Sequence, residues 1–569
     1  MAICEVIYLC NSQISYMISN TKYWFFLLLI ILVYLAGMFV TLFEYDSAQF
    51  AVMAMRMVQE NDFINLFKGP EEYLDKPHMH YWLAALSFKI FGLYDWAYRI
   101  PGILATLLGA YSCFGLGRLL YNREVGKIAS LIFMTAQTIM LSNIDVRTDA
   151  VLTGFAAFAI WQLATYIEKN SLKHLLLGAF GAGIAFSAKG QIALLVIGLP
   201  ILCHLGYSNK WKLLFSWKVL VALAVFGLTI SPILYSYYLQ FDLHPEKIIR
   251  GKDHRSGILF ILWEQSFERL SGEGVGKNSS DYFFFFHTFL WVFLPWTIFG
   301  LVAYWTRVKA LYKTKFKRDS GLEFLTIGGI TLIFLIISFA QFKLPHYLNI
   351  MIPLFAVLSA SFMQDLINSA KEKKMKVFLG LQTFILSLVC ITSILICFFV
   401  FKISNWYAYV LLLSALVLIG YLCLMKQEYS LRLITISIYS SLLLNAVLNL
   451  HFYPSLLKYQ AGSTISGIVA ENDIPAEQIY KITLRSSWAL DFYNQHPVKI
   501  TEASNLPDLG AVWVYGTDDD LIKLKESGLE WDKQYTADQF RITRLQAKFL
   551  NPATRKQVIN NMHLIHLLE

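Results

Sequence analysis

The sequence predicts an α-helical polytopic membrane protein that ends in a small α/β domain, and three observations lead there. Of 569 residues, 56% are hydrophobic and only 15% are charged, whereas a soluble chain carries about a quarter charged residues. Apolar runs of about 20 residues, long enough to cross a hydrocarbon core, recur along most of the length. Beyond residue 450 the pattern changes to short strands and amphipathic helices.

Candidate spans are 23–43, 97–117, 126–142, 150–167, 174–188, 190–207, 217–238, 282–305, 322–340, 347–364, 376–401, 406–425 and 431–450, about 13 in all. The basic residues of short loops sort by side. Lys22, Arg118, Arg123, Lys127, Lys169, Lys173, Lys210, Lys212, Lys218, the run from Arg307 to Arg318, the lysines of 371–376, Lys426 and Arg432 fall on the side of the N-terminus. Only Arg147, Lys189, Lys343 and Lys402 fall on the other. The positive-inside rule therefore places the N-terminus in the cytoplasm. The expected organisation is a cytoplasmic tail (1–22), a transmembrane domain (23–450) with outer loops 44–96 and 239–281, and an extracytoplasmic α/β domain (451–569). The net charge of +9 belongs to these loops, and no nucleic-acid partner is expected.

The seven cysteines (Cys4, Cys10, Cys113, Cys203, Cys390, Cys397 and Cys423) have no metal-ligand spacing, and neither a disulfide framework nor a cysteine metal site is expected. Residues 1–21 do not read as a signal peptide, and Met17 is an alternative start to Met1. In the tail, "QIYKITLR", "HPVKIT" and "GAVWVYG" read as strands, and "SWALDFYNQ", "DDDLIKLKESG" and "ATRKQVINNMHLIHLL" as helices. There is no glycine-rich phosphate loop or nucleophile elbow. In the first outer loop, "SAQFAVMAMRMVQ" and "HYWLAALSFKIFGLYDWAYRI" have the amphipathic spacing of helices lying in the interface plane.

Charged residues of the outer loops form a distinct set. Asp46 follows the first span in "FEYDSAQFA"; Asp75 and Lys76 lie in "EYLDKPHMHYW"; Asp145, Arg147 and Asp149 lie in "NIDVRTDAVL". Lys189 interrupts an apolar run in "FSAKGQIA", and Lys343 and His346 lie in "QFKLPHYLNIMIP". Lys76 and Lys343 taken singly read as side chains snorkelling to headgroups. Lys189 does not, because a cation at membrane depth costs about 2.5–3.5 kcal/mol and calls for a partner. Arg147 between two aspartates fits a structural ion pair equally well, and His78, His80 and His287 read as interfacial or core histidines. Taken together, cations converging at a bilayer surface can hold a lipid-linked phosphate and stabilise it as it leaves. A carboxylate beside them can deprotonate an incoming hydroxyl. That is machinery for moving a sugar from a polyprenyl-phosphate carrier to an acceptor.

At these residues the chain resembles a family. "FEYDSAQFAVMAMRM", "EYLDKPHMHYW", "DVRTDAVL", "SAKGQIALLV", "FLPW" and "KLPHYLNIMIP" are similar, in order and membrane side, to the motifs of GT-C membrane glycosyltransferases, within the superfamily of lipid A aminoarabinose transferases and protein mannosyltransferases. The resemblance covers roughly residues 24–450. It implies a GT-C fold, Asp46 as the catalytic base, Asp149 as a second catalytic aspartate, and Lys76, Lys189 and Lys343 as the family's "EKP", "KG" and "KLP" lysines. Two departures stand out. Ser47 follows Asp46 where the family often has Asp-Glu, and Ser266 falls where the aminoarabinose branch has a metal-site histidine, leaving Asp75 as a lone substitute carboxylate. No metal and no other cofactor is expected.

The expectation is an inverting, polyprenyl-phosphate-sugar-dependent glycosyltransferase of the bacterial cytoplasmic membrane, working at the periplasmic face. Asp46 and Asp149 are catalytic, and Lys76, Arg147, Lys189, Lys343 and His346 bind the lipid phosphate. Its partners are the lipid-linked donor, membrane lipids and a glycolipid (such as lipid A), polysaccharide or protein acceptor. The alternative is a transporter or flippase of lipid-linked sugars, which should show internal repeats and ionisable groups near mid-bilayer. A scaffold whose outer tail binds a partner is a third, and the intramembrane lysine argues against it.

Overall fold

The structure is a computed structural model that describes residues 18–568 apart from 252, 272–280, 320, 370–371, 404–405 and 425–427. Cys4, Cys10, Met17, Lys371 and Lys426 lie outside the described residues. Among the described residues seven helices are long and apolar enough to cross a membrane: Asn20–Met38, Asp95–Leu120, Thr148–Lys169, Trp217–Asp242, Pro345–Asn368, Glu372–Val400 and Tyr429–Tyr459. Ile192–Ser208 and Leu325–Phe339 are shorter apolar helices.

Two of the expected spans are each broken into two helices. Residues 126–142 form Arg123–Thr135 and Gln137–Ser142, interrupted where Ala136 turns extended. Residues 282–305 form Phe284–Val292 and Thr297–Lys313, interrupted at "FLPW". The breaks face each other, and this is why they are tolerated. The Gln137 backbone N–H donates to the Leu294 carbonyl at 3.0 Å, the Trp296 indole donates to Thr135 Oγ1 at 2.8 Å, and the Gln382 amide donates to the Pro295 carbonyl at 3.0 Å. Broken backbone at membrane depth survives only where protein replaces the lost partners. A periodicity argument does not register an interruption of one to four residues inside an apolar run.

The buried centre of the bundle is Thr148–Lys169, packed against Asp95–Leu120 and Leu172–Lys189. Backbone contact sets the spacing, because a Cβ on Gly154 would come within 2.1 Å of the Ala105 carbonyl oxygen. Small residues at such crossings allow the helices their close approach in lipid. Arg99, completely buried, donates from its guanidinium to the carbonyls of Met38 (2.9 Å), Thr41 (3.4 Å) and Ile144 (3.0 Å). It ties the end of the first helix to the segment that carries Asp145. The sequence places this arginine in an interfacial amphipathic stretch. In the structure Gln49–Gln59 is also largely buried, whereas Met79–Phe91 keeps Leu86, Ile90 and Phe91 exposed.

The loops gather in two groups. Glu168 pairs with Lys210 and His204, Tyr121 donates to Glu323, and Asn122 donates to Gln364. The segments 44–96, 239–281 and the C-terminal region form the other group. Gln240 donates to the Leu66 carbonyl, Lys247 pairs with Glu72 at 2.6 Å, and Tyr493 donates to Asp95.

Two residue pairs make a small antiparallel ribbon, β1 (Phe67–Lys68) and β2 (Glu71–Glu72). The C-terminal region carries a five-stranded mixed sheet of β3 (Ile479–Lys481), β4 (Lys499–Ile500), β5 (Trp513–Thr517), β6 (Trp531–Gln539) and β7 (Asn560–Leu567), in the order β4-β3-β5-β7-β6. Three expected strands and the helices at 488–493 and 518–526 are present. "ATRKQVINNMHLIHLL" is a correction. It is a short turn at Arg555–Val558 followed by β7, which lies between β5 and β6 with Met562–Ile565 all buried. A strand covered on both faces loses the alternation that distinguishes it from a buried helix. The strand β6 has no counterpart in the sequence reading.

This domain grips the turn after the first helix. Glu44 is buried, and its two carboxylate oxygens accept from the backbone N–H groups of Trp488 (2.8 Å) and Ala489 (3.0 Å). The Gln460 amide accepts from the Glu44 N–H at 2.7 Å and donates to the Leu42 carbonyl at 2.8 Å, and the Leu42 N–H donates to the Tyr493 hydroxyl. Burial pushes the Glu44 carboxyl up from 4.5 to about 7, against the pull of the Ala489 and Trp488 amides. The folded form therefore holds this proton more tightly than the unfolded one. Stability from it is full below about pH 4.5 and is lost as pH rises through about 7. Glu44→Ala strands two buried amides at a cost of about 1–3 kcal/mol. It should lower the thermal midpoint, speed amide exchange at 488–493 and flatten the pH dependence of that exchange between 4.5 and 7. Unchanged exchange in the variant would show that the contact contributes nothing to docking.

Candidate active site

Asp46 lies in the turn Glu44–Ala48 with φ 60° and ψ −59°, a region that a non-glycine residue enters at a cost of about 1–3 kcal/mol. Contacts on both sides hold it there. The C-terminal domain fixes Glu44, two residues earlier. From the bundle, Arg147 Nη1 meets Asp46 Oδ2 at 2.7 Å, while its Nη2 and Nε reach Asp145 Oδ2 at 2.6 and 3.1 Å. Burial works against the charge on Arg147, but Asp145 and Asp46 outweigh it and raise the guanidinium further above its usual range. Burial likewise pushes the Asp145 carboxyl up, and Arg147 pulls it back. The Asp46 side chain is still 44% exposed, so the carboxylate that pairs with Arg147 remains open to a ligand.

Arg147 is the residue before the helix Thr148–Lys169, and Asp149 sits in its first turn. Asp149 Oδ1 is 2.5 Å from Lys189 Nζ, and His346 Nε2 is 3.8 Å from its Oδ2. Lys189 is the last residue of Leu172–Lys189, which stops because Gly190 takes φ +75°. A Cβ at Gly190 would stand 2.5 Å from Gln265 Oε1, and Gln265 Nε2 donates to the Asp75 carbonyl at 2.6 Å. The tight helix break thus brings the segment with Lys189 and the segment with Lys76 against Gln265 of the loop that follows Trp217–Asp242. That loop is braced by Arg250 on Glu268 (2.9 Å), by Arg255 on Glu264 (3.0 Å) and on Glu268, and by Asp242 accepting from Ser256, Gly257 and Ile258. The sequence reading missed Glu44, whose partners are residues 488 and 489, and Arg250 and Arg255, which pair with Glu264 and Glu268 of their own loop.

Lys76, Lys189 and Asp149 line one cavity of ≈ 110 Å³, whose remaining wall includes Leu152, Ile192, Leu195, Ile336 and Ile350. The structure therefore brings Asp46, Arg147, Asp149, Lys189, His346 and Lys76 into one neighbourhood. Lys343 is buried with its ammonium 5.3 Å from the centre of the Tyr282 ring and does not line this cavity. His78 and His80 are core residues: His78 Nε2 bonds the Ile64 carbonyl and His80 Nε2 the Tyr98 hydroxyl, and burial lowers both to about 4. The position at which the aminoarabinose branch implies a metal does not fit one. Ser266 offers a neutral hydroxyl, the Asp75 carboxylate faces Lys76 (3.8 Å) and Arg250 (3.9 Å), and no three His, Cys, Asp or Glu among the described residues form a ligand set.

Comparison with known proteins bears on the fold and the family. The family model for dolichyl-phosphate-mannose-protein mannosyltransferase matches residues 75–235. The crystal structure of ArnT from Cupriavidus metallidurans bound to undecaprenyl phosphate superposes with a TM-score of 0.73, covering 96% of this chain and 98% of that one at 15% identity. The chain has the GT-C fold. An undecaprenyl phosphate-α-4-amino-4-deoxy-L-arabinose arabinosyl transferase of Proteus mirabilis (strain HI4320) is 24% identical over 395 residues, 67% of this chain and 68% of that protein. One from Edwardsiella ictaluri is 23% identical over 333 residues, 57% of this chain and 56% of its own length. The chain thus resembles the lipid A aminoarabinose transferases within the GT-C glycosyltransferases.

The Asp149–Lys189 pair makes this neighbourhood sensitive to single changes. Lys189→Met leaves Asp149 as a buried carboxylate with its nearest cation gone, which typically costs about 3–5 kcal/mol. Thermal unfolding in detergent should show a large loss, and adding Asp149→Leu should restore much of it. If the two losses simply added, the pair would not be coupled.

Proposed function

We propose that this chain is an inverting glycosyltransferase that moves a sugar from a polyprenyl-phosphate carrier to an acceptor outside the cytoplasm. The observation that carries the reading is the cavity that joins an apolar wall to the ammonium groups of Lys76 and Lys189, beside an exposed carboxylate, Asp46. The apolar wall suits the first isoprenes of a lipid carrier and the lysines suit its phosphate. The transferase names of the relatives support the same reading. In the reaction the Asp46 carboxylate takes the proton of the acceptor hydroxyl as that oxygen attacks the anomeric carbon. The bond from that carbon to the phosphate oxygen breaks, its electron pair stays on the phosphate, and Lys76 and Lys189 stabilise the added negative charge. Arg147 orients Asp46, and Asp149 positions Lys189. His346, 3.8 Å from Asp149, helps to position that carboxylate, and Lys343 acts on the phosphate only from outside the cavity. The reaction is proposed to need no divalent ion, consistent with the pairing of Asp75 with two cations.

The site is proposed to face the periplasm, with residues 44–96, 239–281 and 451–569 on that side and 307–318 in the cytoplasm. Cysteine labelling of intact cells should modify single cysteines placed in the sheet domain and spare those at 307–318. Labelling of the reverse set would overturn the orientation.

The chemistry is tested by pairing lipid-donor binding with single-turnover transfer. Asp46→Asn should nearly abolish transfer, since general-base assistance is worth about 10²–10⁴, while donor binding stays intact. Folding should hold because Arg147 keeps its two bonds to Asp145. Lys76→Ala should cut turnover by about 10² or more, the scale of losing one preorganised charge donor, with little change in thermal stability. Wild-type turnover in Asp46→Asn would remove it from the mechanism, and full activity in Lys76→Ala would leave that residue a snorkelling lysine.

A further inference from the structure

The helix Thr148–Lys169 carries Asp149 near one end and Glu168 near the other, about 30 Å apart along its axis. At the Glu168 end a polar cavity of ≈ 430 Å³ opens between that helix, Ile192–Ser208 and the segment 318–323. Its charged and titratable lining is Glu168, His204, Arg318, Asp319 and Glu323. A second hollow, also ≈ 430 Å³, is lined by apolar groups that include Leu202, Phe316 and Phe324. Tyr207 lines both, and the two linings interleave along the chain at 206–208 and 322–324. Phe316 and Phe324 meet edge to face at 5.5 Å, and Leu202 and Phe316 are exposed at the mouth of this groove. A polar pocket thus opens beside an apolar groove at the end of the bundle away from Asp46.

Charge in the polar pocket does not balance, because three carboxylates and one guanidinium line it. Glu168 is compensated by Lys210 at 3.1 Å and by Arg318 at 3.5 Å. Glu323 is not. It is buried, and its donors are the Tyr121 hydroxyl (2.9 Å), the Thr326 backbone N–H (2.8 Å) and the Thr326 hydroxyl, all neutral. Among the described residues it forms no ion pair. Arg307, 5.3 Å from the centre of the Tyr121 ring, is bonded instead to the Gly321 carbonyl, Ser361 and Asp365. A carboxylate buried without a counter-charge is costly. His204 is buried as well; its Nε2 faces Glu168 at 3.0 Å, and its Nδ1 has no partner among the described residues. The pocket is short of positive charge and of donors, and a primary ammonium brings one charge and three N–H groups. The groove alongside calls for a hydrocarbon chain on the same ligand, and the exposed Arg318 guanidinium suits a phosphate between the two.

We propose that this pocket and groove form a binding site for a phospholipid with a primary-amine headgroup, of the phosphatidylethanolamine class, taken from the leaflet at that end of the bundle. Its ammonium lies by Glu323, its phosphate by Arg318, and one acyl chain in the groove beside Phe316. The site stands independently of the transferase reading. The test titrates the full chain, delipidated in detergent, with dioleoyl phosphatidylethanolamine, phosphatidylcholine and phosphatidylglycerol in turn, and reads bound lipid by native mass spectrometry. Wild type should bind one equivalent of the ethanolamine lipid about 10-fold or more tighter than the choline lipid, which keeps the phosphate and chains but has no N–H, and than the glycerol lipid, which has no cation. Glu323→Gln keeps the shape and removes the charge, and should erase that preference. Phe316 has φ 57°, a backbone that asparagine tolerates, so Phe316→Asn should fold normally and still weaken lipid binding. Equal affinity of wild type for the three lipids would overturn the proposal, as would wild-type preference in Glu323→Gln. Binding that Lys76→Ala removes would put the lipid in the other cavity and overturn it too. Glycerophosphoethanolamine binding as tightly as the lipid, with Phe316→Asn unaffected, would make the ligand a soluble amine and sink the lipid site. If Glu323→Gln does not fold, the lipid series and Phe316→Asn decide by the same criteria.

Discussion

Arg147 holds Asp46 and Asp145 on one guanidinium, 2.7 and 2.6 Å away, and the geometry of the whole site follows from that bridge. It joins the turn after the first helix to the start of the helix that carries Asp149. Without it, the strained backbone at Asp46 would relax toward ordinary dihedrals, because a cost of about 1–3 kcal/mol persists only when several contacts over-determine it. The bridge has the asymmetry such an arrangement needs. Asp145 takes two bonds and anchors the arginine, while Asp46 takes one and stays open. One carboxylate is structural, and the other keeps the exposure that the proposed chemistry needs.

The second constraint is the need to satisfy backbone where helices stop at the membrane face. The proposed machinery sits at such stops: Asp46 after Asn20–Met38, Arg147 before Thr148, Lys189 ahead of Gly190, His346 at the start of Pro345–Asn368. Polar side chains from elsewhere complete the lost pairing, as Arg99 does for the carbonyls of Met38, Thr41 and Ile144. The C-terminal domain does the same through Gln460 and Tyr493 at Leu42. It is therefore part of the scaffold of the candidate site rather than an appendage, and Glu44, buried on two backbone amides, is its point of attachment.

The sequence made the membrane class and most of the charged set legible because each carries a local signal. A charge in an apolar run is visible without any structure, so Asp46, Lys76, Arg147, Asp149 and Lys189 stand out. Partners across the chain do not announce themselves. Glu44 looks like a neighbour of Asp46, and only its contact with residues 488 and 489 gives it a purpose. Arg99 sits in a stretch of interfacial appearance, and burial on three carbonyls cannot be read from spacing. The strand at 560–567 was hidden for a related reason: both its faces are covered over Met562–Ile565, so its residues do not alternate between apolar and polar. Helix breaks at Ala136 and Leu294 escaped because each is satisfied by the other.

The placement of charge also separates the transferase reading from transport. A carrier that moves a lipid-linked sugar needs polar groups along its path, since each unaccompanied charge at the bilayer centre costs at least about 2.5–3.5 kcal/mol. Here the ionisable residues cluster where helices begin or end, and the cavity beyond Lys189 is walled by leucine and isoleucine. An isoprenoid tail is at home against that wall, whereas the polar lining residues Lys76, Lys189, Asp149, Gln265 and Ser266 suit the charged end of a lipid. The arrangement suits holding the charged end of a lipid at one place, and that, with a carboxylate and the C-terminal region beside it, is what the proposed transfer requires.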